Sequence, residues 1–87
     1  MSYKILYTNQ AAKDSEKIKK SYLYEKAKEY IALIKENPYK KPPPYEKLQG
    51  DLNGAYSRRL NVQHRLVYEV LEQEKIIKIL AMWGHYE

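Results

Sequence analysis

The sequence has 87 residues, about the size of one domain, so residues 1–87 are predicted to form a single domain. Its 16 Lys and Arg against 11 Asp and Glu give a formal net charge of +5, which attracts polyanions, and its 44% hydrophobic and 13% aromatic content excludes a disordered chain. The lack of Cys excludes disulfides, thiolate zinc sites and Cys nucleophiles, and no apolar run approaches the roughly 20 residues of a membrane span, so we expect a cytoplasmic protein.

The N-terminal part of the chain predicts a strand followed by a helix. Tyr3–Tyr7 is short, apolar and aromatic, and the next two residues, Thr8 and Asn9, can both cap the start of a helix. The helix is predicted over Asn9–Lys20. Its apolar stripe is expected to contain Ala11, Ala12, Ser15 and Ile18, and its solvent face Lys13, Asp14, Glu16 and Lys17.

A second helix is predicted between Ser21 and Glu36, because apolar residues recur there at helical spacing until Asn37-Pro38 ends the pattern. The next stretch, Tyr39 to Tyr45, has no periodicity and contains three consecutive prolines behind two lysines. Since proline cannot donate a hydrogen bond within a central sheet, this stretch is predicted to be a stiff, basic connector.

The C-terminal part of the chain predicts three antiparallel strands after a turn at Asp51–Gly54. The strands are Ala55–Val62, Arg65–Glu72 and Lys75–Trp83, with connections short enough for hairpins. Alternation in the second strand puts Leu66, Tyr68 and Val70 on one face and Arg65, Val67 and Glu69 on the other. The predicted fold is α+β with the order β-α-α-β-β-β, in which two helices pack on an antiparallel sheet.

The three arginines, Arg58, Arg59 and Arg65, fall within eight residues on two adjacent predicted strands. A guanidinium presents a planar fork of donors that matches two phosphate oxygens, so this cluster is a candidate phosphate clamp. Surface ion pairs with Glu69 or Glu72 are the alternative.

Two histidines are the candidates for proton transfer near neutral pH. Two are too few for a typical zinc site. His64 lies in a predicted turn, where a structural hydrogen bond is expected, whereas His85 stands two residues from the end of the sequence. Glu46 follows the proline run and could supply a carboxylate base.

RNA cleavage without a metal or cofactor stays open, because RNA carries its own nucleophile in the 2′-hydroxyl and the reaction needs few protein groups. A base removes the hydroxyl proton, cations stabilise the phosphorane, and an acid protonates the leaving 5′-oxygen. Glu46, the arginines and His85 could fill these three roles. Two other functions stay open: a basic module that binds RNA, ribosome or operator DNA without cutting it, and a structural interaction domain.

Several segments together resemble the YoeB/Txe family of the RelE superfamily, over nearly the whole chain. They are Tyr45-Glu46-Lys47-Leu48, Leu52-Asn53-Gly54, Ser57-Arg58-Arg59, His64-Arg65-Leu66-Val67-Tyr68 and Gly84-His85-Tyr86. The resemblance implies a toxin that cleaves messenger RNA in the ribosomal decoding site, with two helices packed on an antiparallel sheet. It also implies a cognate antitoxin of the YefM/Axe type, whose acidic, initially disordered tail covers the basic face, and a possible homodimer.

The resemblance assigns roles to individual residues. Glu46 corresponds to the general base, His85 to the general acid and Arg65 to the phosphate clamp. The expected RNA contacts are Arg58, Arg59, Lys47 and Tyr86. The chain departs from the family pattern at Gln49, where a lysine is frequent, at Ala55-Tyr56, where an aromatic residue and a tryptophan are common, and at Gln63, where an acid often stands.

Overall fold

The computed structural model of the protein describes residues 2–49 and 54–84. In chain order its elements are β1 (Lys4–Tyr7), α1 (Asn9–Lys19), α2 (Tyr24–Glu36), β2 (Glu46–Lys47), β3 (Ala55–Arg59), β4 (Arg65–Leu71) and β5 (Ile76–Ala81). Neither helix in this part of the chain has the length and apolar content that a bilayer span requires.

The five strands form one sheet in the order β1-β5-β4-β3-β2. β1 runs parallel to β5, and the other neighbouring strands are antiparallel. The predicted order of two helices between a first strand and three antiparallel strands is therefore confirmed. The two-residue strand β2, at one edge of the sheet, was not predicted, because two residues just after a proline run are too few to show alternation.

The first helix begins where predicted, since the Thr8 side chain accepts a hydrogen bond from the backbone N–H of Ala11 at 3.1 Å. Its buried stripe differs from the prediction. Ala11 and Ile18 are buried, but Ala12 is exposed and Asp14, expected on the solvent face, is only 1% exposed. Asp14 is buried because its carboxylate accepts backbone hydrogen bonds from the chain after β5.

The second helix begins at Tyr24 and not at Ser21, because Ser21 forms a turn between the two helices. Its hydroxyl donates to the carbonyl of Ile18 and accepts from the N–H of Leu23. Leu23, Ala27 and Ile34 are buried as the periodicity predicts.

The two faces of the sheet have different environments. The helices pack on the face that carries Leu66 and Tyr68 of β4 and Ile77 and Ile79 of β5, and these side chains form the hydrophobic core. Val67 points to the opposite face, which we call the open face, yet it is only 2% exposed. Strand pairing places Val67 beside Ser57 of β3, and Arg59 and Arg65 lie on the same face.

Candidate functional site

The open face carries a pocket of about 260 Å³ beside the β2 edge of the sheet. Its walls come from the end of the connector and from three neighbouring strands. The residues that line it are Pro44, Tyr45, Glu46, Ser57, Arg59 and Arg65. Three residues that the sequence analysis singled out for RNA chemistry, Glu46, Arg59 and Arg65, therefore share one concave surface.

Strand register brings these side chains together. Glu46 of β2 pairs with Ser57 of β3, and Arg59 of β3 pairs with Arg65 of β4. Directly paired residues project from the same face of a sheet with their Cβ atoms about 5 Å apart. The positions of these four side chains thus depend on two short antiparallel strand pairs.

The pocket contains an ion pair between Arg65 and Glu46. The Arg65 Nη1 atom donates to Glu46 Oε1 at 3.0 Å, with the Arg65 side chain 24% exposed and the Glu46 side chain 71% exposed. The ion pairs proposed with Glu69 or Glu72 are thus wrong for Arg65. One carboxylate lies here beside two guanidinium groups, so the pocket keeps a surplus of positive charge that a phosphate could neutralise.

Ser57 is a pocket residue that the sequence analysis did not single out. It is 2% exposed, and its hydroxyl has no hydrogen-bond partner among the described residues. Its position two residues before Arg59 on the same strand was the available signal, because alternation puts both side chains on one face.

Arg58 does not line this pocket. Its buried position contradicts the prediction that it contacts RNA. It lies on the helix-covered side of β3 and is 0% exposed. Its guanidinium donates to the carbonyls of Pro43 at 2.6 Å and Pro38 at 3.0 Å and to the hydroxyl of Tyr68 at 3.0 Å. Arg58 therefore binds the chain just before the connector, at Pro38, and within it, at Pro43.

The tyrosines near the connector pack around this buried cation. The ring of Tyr45 lies 5.0 Å from the Arg58 guanidinium carbon, and Tyr56 stacks on Tyr68 with ring centroids 5.7 Å apart. The cation–π contact and the hydrogen bonds to carbonyls together offset the free-energy cost of burying the charge. Because Tyr45 precedes Glu46, this packing also fixes the chain that leads into β2.

Lys47 is exposed but does not line the pocket. It pairs with Tyr56, and alternation along β2 directs it to the face opposite to Glu46. Its expected RNA contact would have to be made outside the pocket.

His64 makes the structural hydrogen bond that its predicted turn indicated. It is 8% exposed, its Nδ1 accepts from the backbone N–H of Gly84 at 2.6 Å, and its ring stacks on Trp83 with centroids 4.0 Å apart. His85 and Tyr86, the expected general acid and a nearby RNA contact, lie outside the described residues. Within residues 2–49 and 54–84, no three His, Asp or Glu side chains are placed to hold a metal ion.

Comparisons with known proteins agree on one family. The family model of the YoeB-like toxin of bacterial type II toxin-antitoxin systems matches residues 7–86. Toxin YoeB of Streptomyces coelicolor is 43% identical over 47 residues, which are 54% of this chain and 56% of that protein. The matched segment thus spans less than two thirds of this relative.

Solved structures extend the similarity over almost the whole chain. The YoeB/ParE toxin from Agrobacterium tumefaciens has a TM-score of 0.87 at 28% identity, covering 95% of this chain and 99% of that chain. YoeB from Staphylococcus aureus, solved in a complex with YefM and as a dimer, has TM-scores of 0.81 and 0.82 at 32% identity, covering 99% of this chain and 100% of those chains.

Proposed function

This chain belongs to the family of YoeB-like toxins of bacterial type II toxin-antitoxin systems, and we propose that it acts as a ribosome-dependent endoribonuclease that cleaves messenger RNA in the decoding site. The observation that supports the proposal is the shared pocket of Glu46, Arg59 and Arg65, in which a carboxylate lies with two guanidinium groups.

The proposed reaction is attack of the RNA 2′-hydroxyl on its own phosphodiester. Glu46 takes the 2′-hydroxyl proton, the 2′-oxygen bonds to phosphorus, and the bond from phosphorus to the 5′-oxygen breaks. His85 donates a proton to that leaving oxygen. The products are a 2′,3′-cyclic phosphate and a free 5′-hydroxyl, and every proton is transferred between the RNA and the chain's own side chains.

The ion pair of Arg65 and Glu46 explains how one pocket can serve both binding and proton transfer. A phosphate entering beside Arg65 competes with Glu46 for the same guanidinium, since both are anions of similar geometry. The carboxylate that it displaces is then free to accept the 2′-hydroxyl proton. Arg59, exposed beside Arg65, provides a second cation for the charge that develops on the phosphorane.

The proposed partners follow from the same charge. An antitoxin of the YefM type, with an acidic tail that folds on contact, would compete with RNA for Arg59 and Arg65. The Staphylococcus aureus YoeB structures support this partner and a homodimer by analogy. The ribosome and its messenger RNA are the proposed targets, and the cytoplasm is the proposed location.

A binding module that does not cut RNA is the second candidate, and the +5 charge favours it. Primer extension on translating ribosomes separates the two. We expect new RNA ends with the wild-type chain and a loss of about 100-fold to 10,000-fold with Glu46→Ala or His85→Gln, the usual contribution of general acid or base catalysis. Intact transcripts in the presence of ribosome-bound wild-type protein would favour the binding module.

Lys40→Ala is a matched control for this assay, because Lys40 is an exposed cation of the connector that does not line the pocket. We expect this variant to keep the cleavage rate. An equal loss in Lys40→Ala and Glu46→Ala would show that the effect of Glu46→Ala is not specific to the pocket.

A further inference from the structure

The backbone that follows β5 is held by side chains from elsewhere in the fold. The amides of Met82 and Trp83 donate to Asp14 Oδ2 of α1, at 2.9 and 3.3 Å. The next amide, that of Gly84, donates to His64 Nδ1 at 2.6 Å. Three successive amides beyond the end of the strand thus donate to two side chains of the fold.

Both acceptors are buried and are themselves fixed. Asp14 is 1% exposed, and its second carboxylate oxygen accepts from Gln10 Nε2 at 2.8 Å. His64 is 8% exposed, its ring stacks on Trp83, and its backbone N–H donates to Asn61 Oδ1. The Gly84 amide and the Asn61 side chain thus hold His64 from two sides.

The hydrogen bond between Gly84 and His64 joins the neighbours in sequence of two proposed site residues. His64 immediately precedes Arg65, whose side chain lines the pocket, and Gly84 immediately precedes His85. Consecutive Cα atoms are about 3.8 Å apart, so a fixed Gly84 restricts where His85 can start. Gly84 has φ +99°, a conformation that L side chains rarely adopt, so the direction of the chain at this point depends on glycine.

We propose that His64 is a positioning residue for His85: by accepting from the Gly84 amide and stacking on Trp83, it fixes the residue that directly precedes His85 and so supports proton donation by His85. This inference rests on the proposed function, in which His85 is the general acid. Placement matters because proton transfer needs heavy atoms within about 3.2 Å, and a misplacement of about 1 Å can cost about 100-fold in rate.

The test compares two substitutions of one side chain. His64→Asn keeps an acceptor close to the position of Nδ1, whereas His64→Leu keeps bulk and removes the acceptor. On ribosomes programmed with messenger RNA, we expect His64→Leu to lower kcat by about tenfold to 100-fold with little change in KM, and His64→Asn to recover most of the loss. A wild-type kcat in His64→Leu would overturn the proposal.

A double-mutant cycle shows whether His64 acts through His85. We expect His64→Leu/His85→Gln to be no slower than His85→Gln alone, because a positioning residue has no effect once the group that it positions is gone. Losses that multiply would overturn the proposal in favour of a general structural role. Ile77→Val, a core change in β5 away from the tail, is the control for a loss of stability alone.

Amide hydrogen exchange at Gly84 tests the contact independently of catalysis. We expect slow exchange in the wild type and in His64→Asn and fast exchange in His64→Leu, with core amides of β4 protected in all three. Equal Gly84 exchange in all three proteins would overturn the proposal. If Gly84 responds as expected but the wild type does not cleave RNA, the proposed endoribonuclease function fails and the contact itself stands.

Discussion

Arg58 and Arg59 are neighbours in the sequence with opposite environments. Arg58 is fully buried and bound to two carbonyls and a tyrosine hydroxyl, whereas Arg59 is exposed and lines the pocket. Alternation along β3 separates them, since successive side chains point to opposite faces. The same residue type therefore stabilises the fold at one position and is available to a ligand at the next.

This pair makes a matched test. We expect Arg58→Ala to lower the free energy of unfolding by more than about 2 kcal/mol, because the Pro43 carbonyl loses its donor and the packing around Tyr45 is lost. Arg59→Ala should change it by less than about 0.5 kcal/mol and lower RNA cleavage in the folded protein. Urea unfolding and cleavage assays on both variants check this, and equal stability losses would contradict it.

Ser57 gives a second expectation at this scale. Its hydroxyl is buried without a hydrogen-bond partner among the described residues, so its desolvation is not compensated. We expect Ser57→Ala to leave the free energy of unfolding unchanged or to raise it by up to about 1 kcal/mol. Urea unfolding measures this, with Ser15→Ala on α1 as a control serine. A loss above about 1 kcal/mol would mean that the hydroxyl makes a stabilising contact.

Residue types and family motifs selected Glu46, Arg59 and Arg65 as site residues, and these three side chains line one pocket. They could not separate Arg58 from Arg59, because three clustered cations look alike until the strand register assigns each to a face. The register likewise directs Lys47 to the face opposite to Glu46, and its contact with RNA stays a prediction.

At the scale of elements, three separate segments meet at the carboxylate of Glu72 in the β4–β5 turn. The hydroxyls of Tyr39 in the connector and Tyr3 before β1 donate to Glu72 Oε2 at 2.7 and 2.8 Å, and Lys75 Nζ lies 3.3 Å from Oε1. The hydrogen bond from Tyr39, followed by that from Tyr3, lowers the pKa of Glu72 below its ordinary value of 4.5. Burial of Tyr39, followed by its hydrogen bond to the same carboxylate, raises the pKa of Tyr39.

The direction of the Glu72 shift predicts an acid dependence of stability. Because the folded-state pKa is the lower one, the stabilisation is fully present above the unfolded pKa of about 4.5 and is lost as the pH falls through the folded-state pKa. We expect Glu72→Gln to be less stable than the wild type at neutral pH and the difference to shrink below about pH 4.5. Urea unfolding across this range measures it.

Glu74→Gln in the same turn is the control, since Glu74 is exposed and has no described tyrosine partner. A difference between Glu72→Gln and the wild type that stays constant with pH would show that the carboxylate charge makes no contribution.

Element positions were well predicted where local chemistry decides them, as at the Thr8 cap of α1. They were missed where tertiary contacts decide. Asp14 carries a charge and so was assigned to solvent, yet the amides after β5 bind it in the interior. Similarly, β2 exists only because its edge position lets Glu46 and Lys47 pair with β3.

At the scale of the whole molecule, the charge surplus and the pocket have separate origins. Residues 1–50 contain 11 lysines against six acids, whereas residues 51–87 contain five bases against five acids. The lysine surplus gives a field that attracts any polyanion, and the pocket arginines give the local geometry that a phosphodiester requires. Composition alone predicted the first property, and the second depends on which strands are neighbours.

The most direct test of the account is a structure of the His85→Gln variant on a ribosome whose messenger RNA carries a 2′-O-methyl group at the cleaved nucleotide, so that no reaction occurs. The account predicts the scissile phosphate within about 3.2 Å of the Arg65 guanidinium and the 2′-oxygen at a similar distance from a Glu46 carboxylate oxygen. RNA bound elsewhere on the protein, with the ion pair of Arg65 and Glu46 intact, would contradict it.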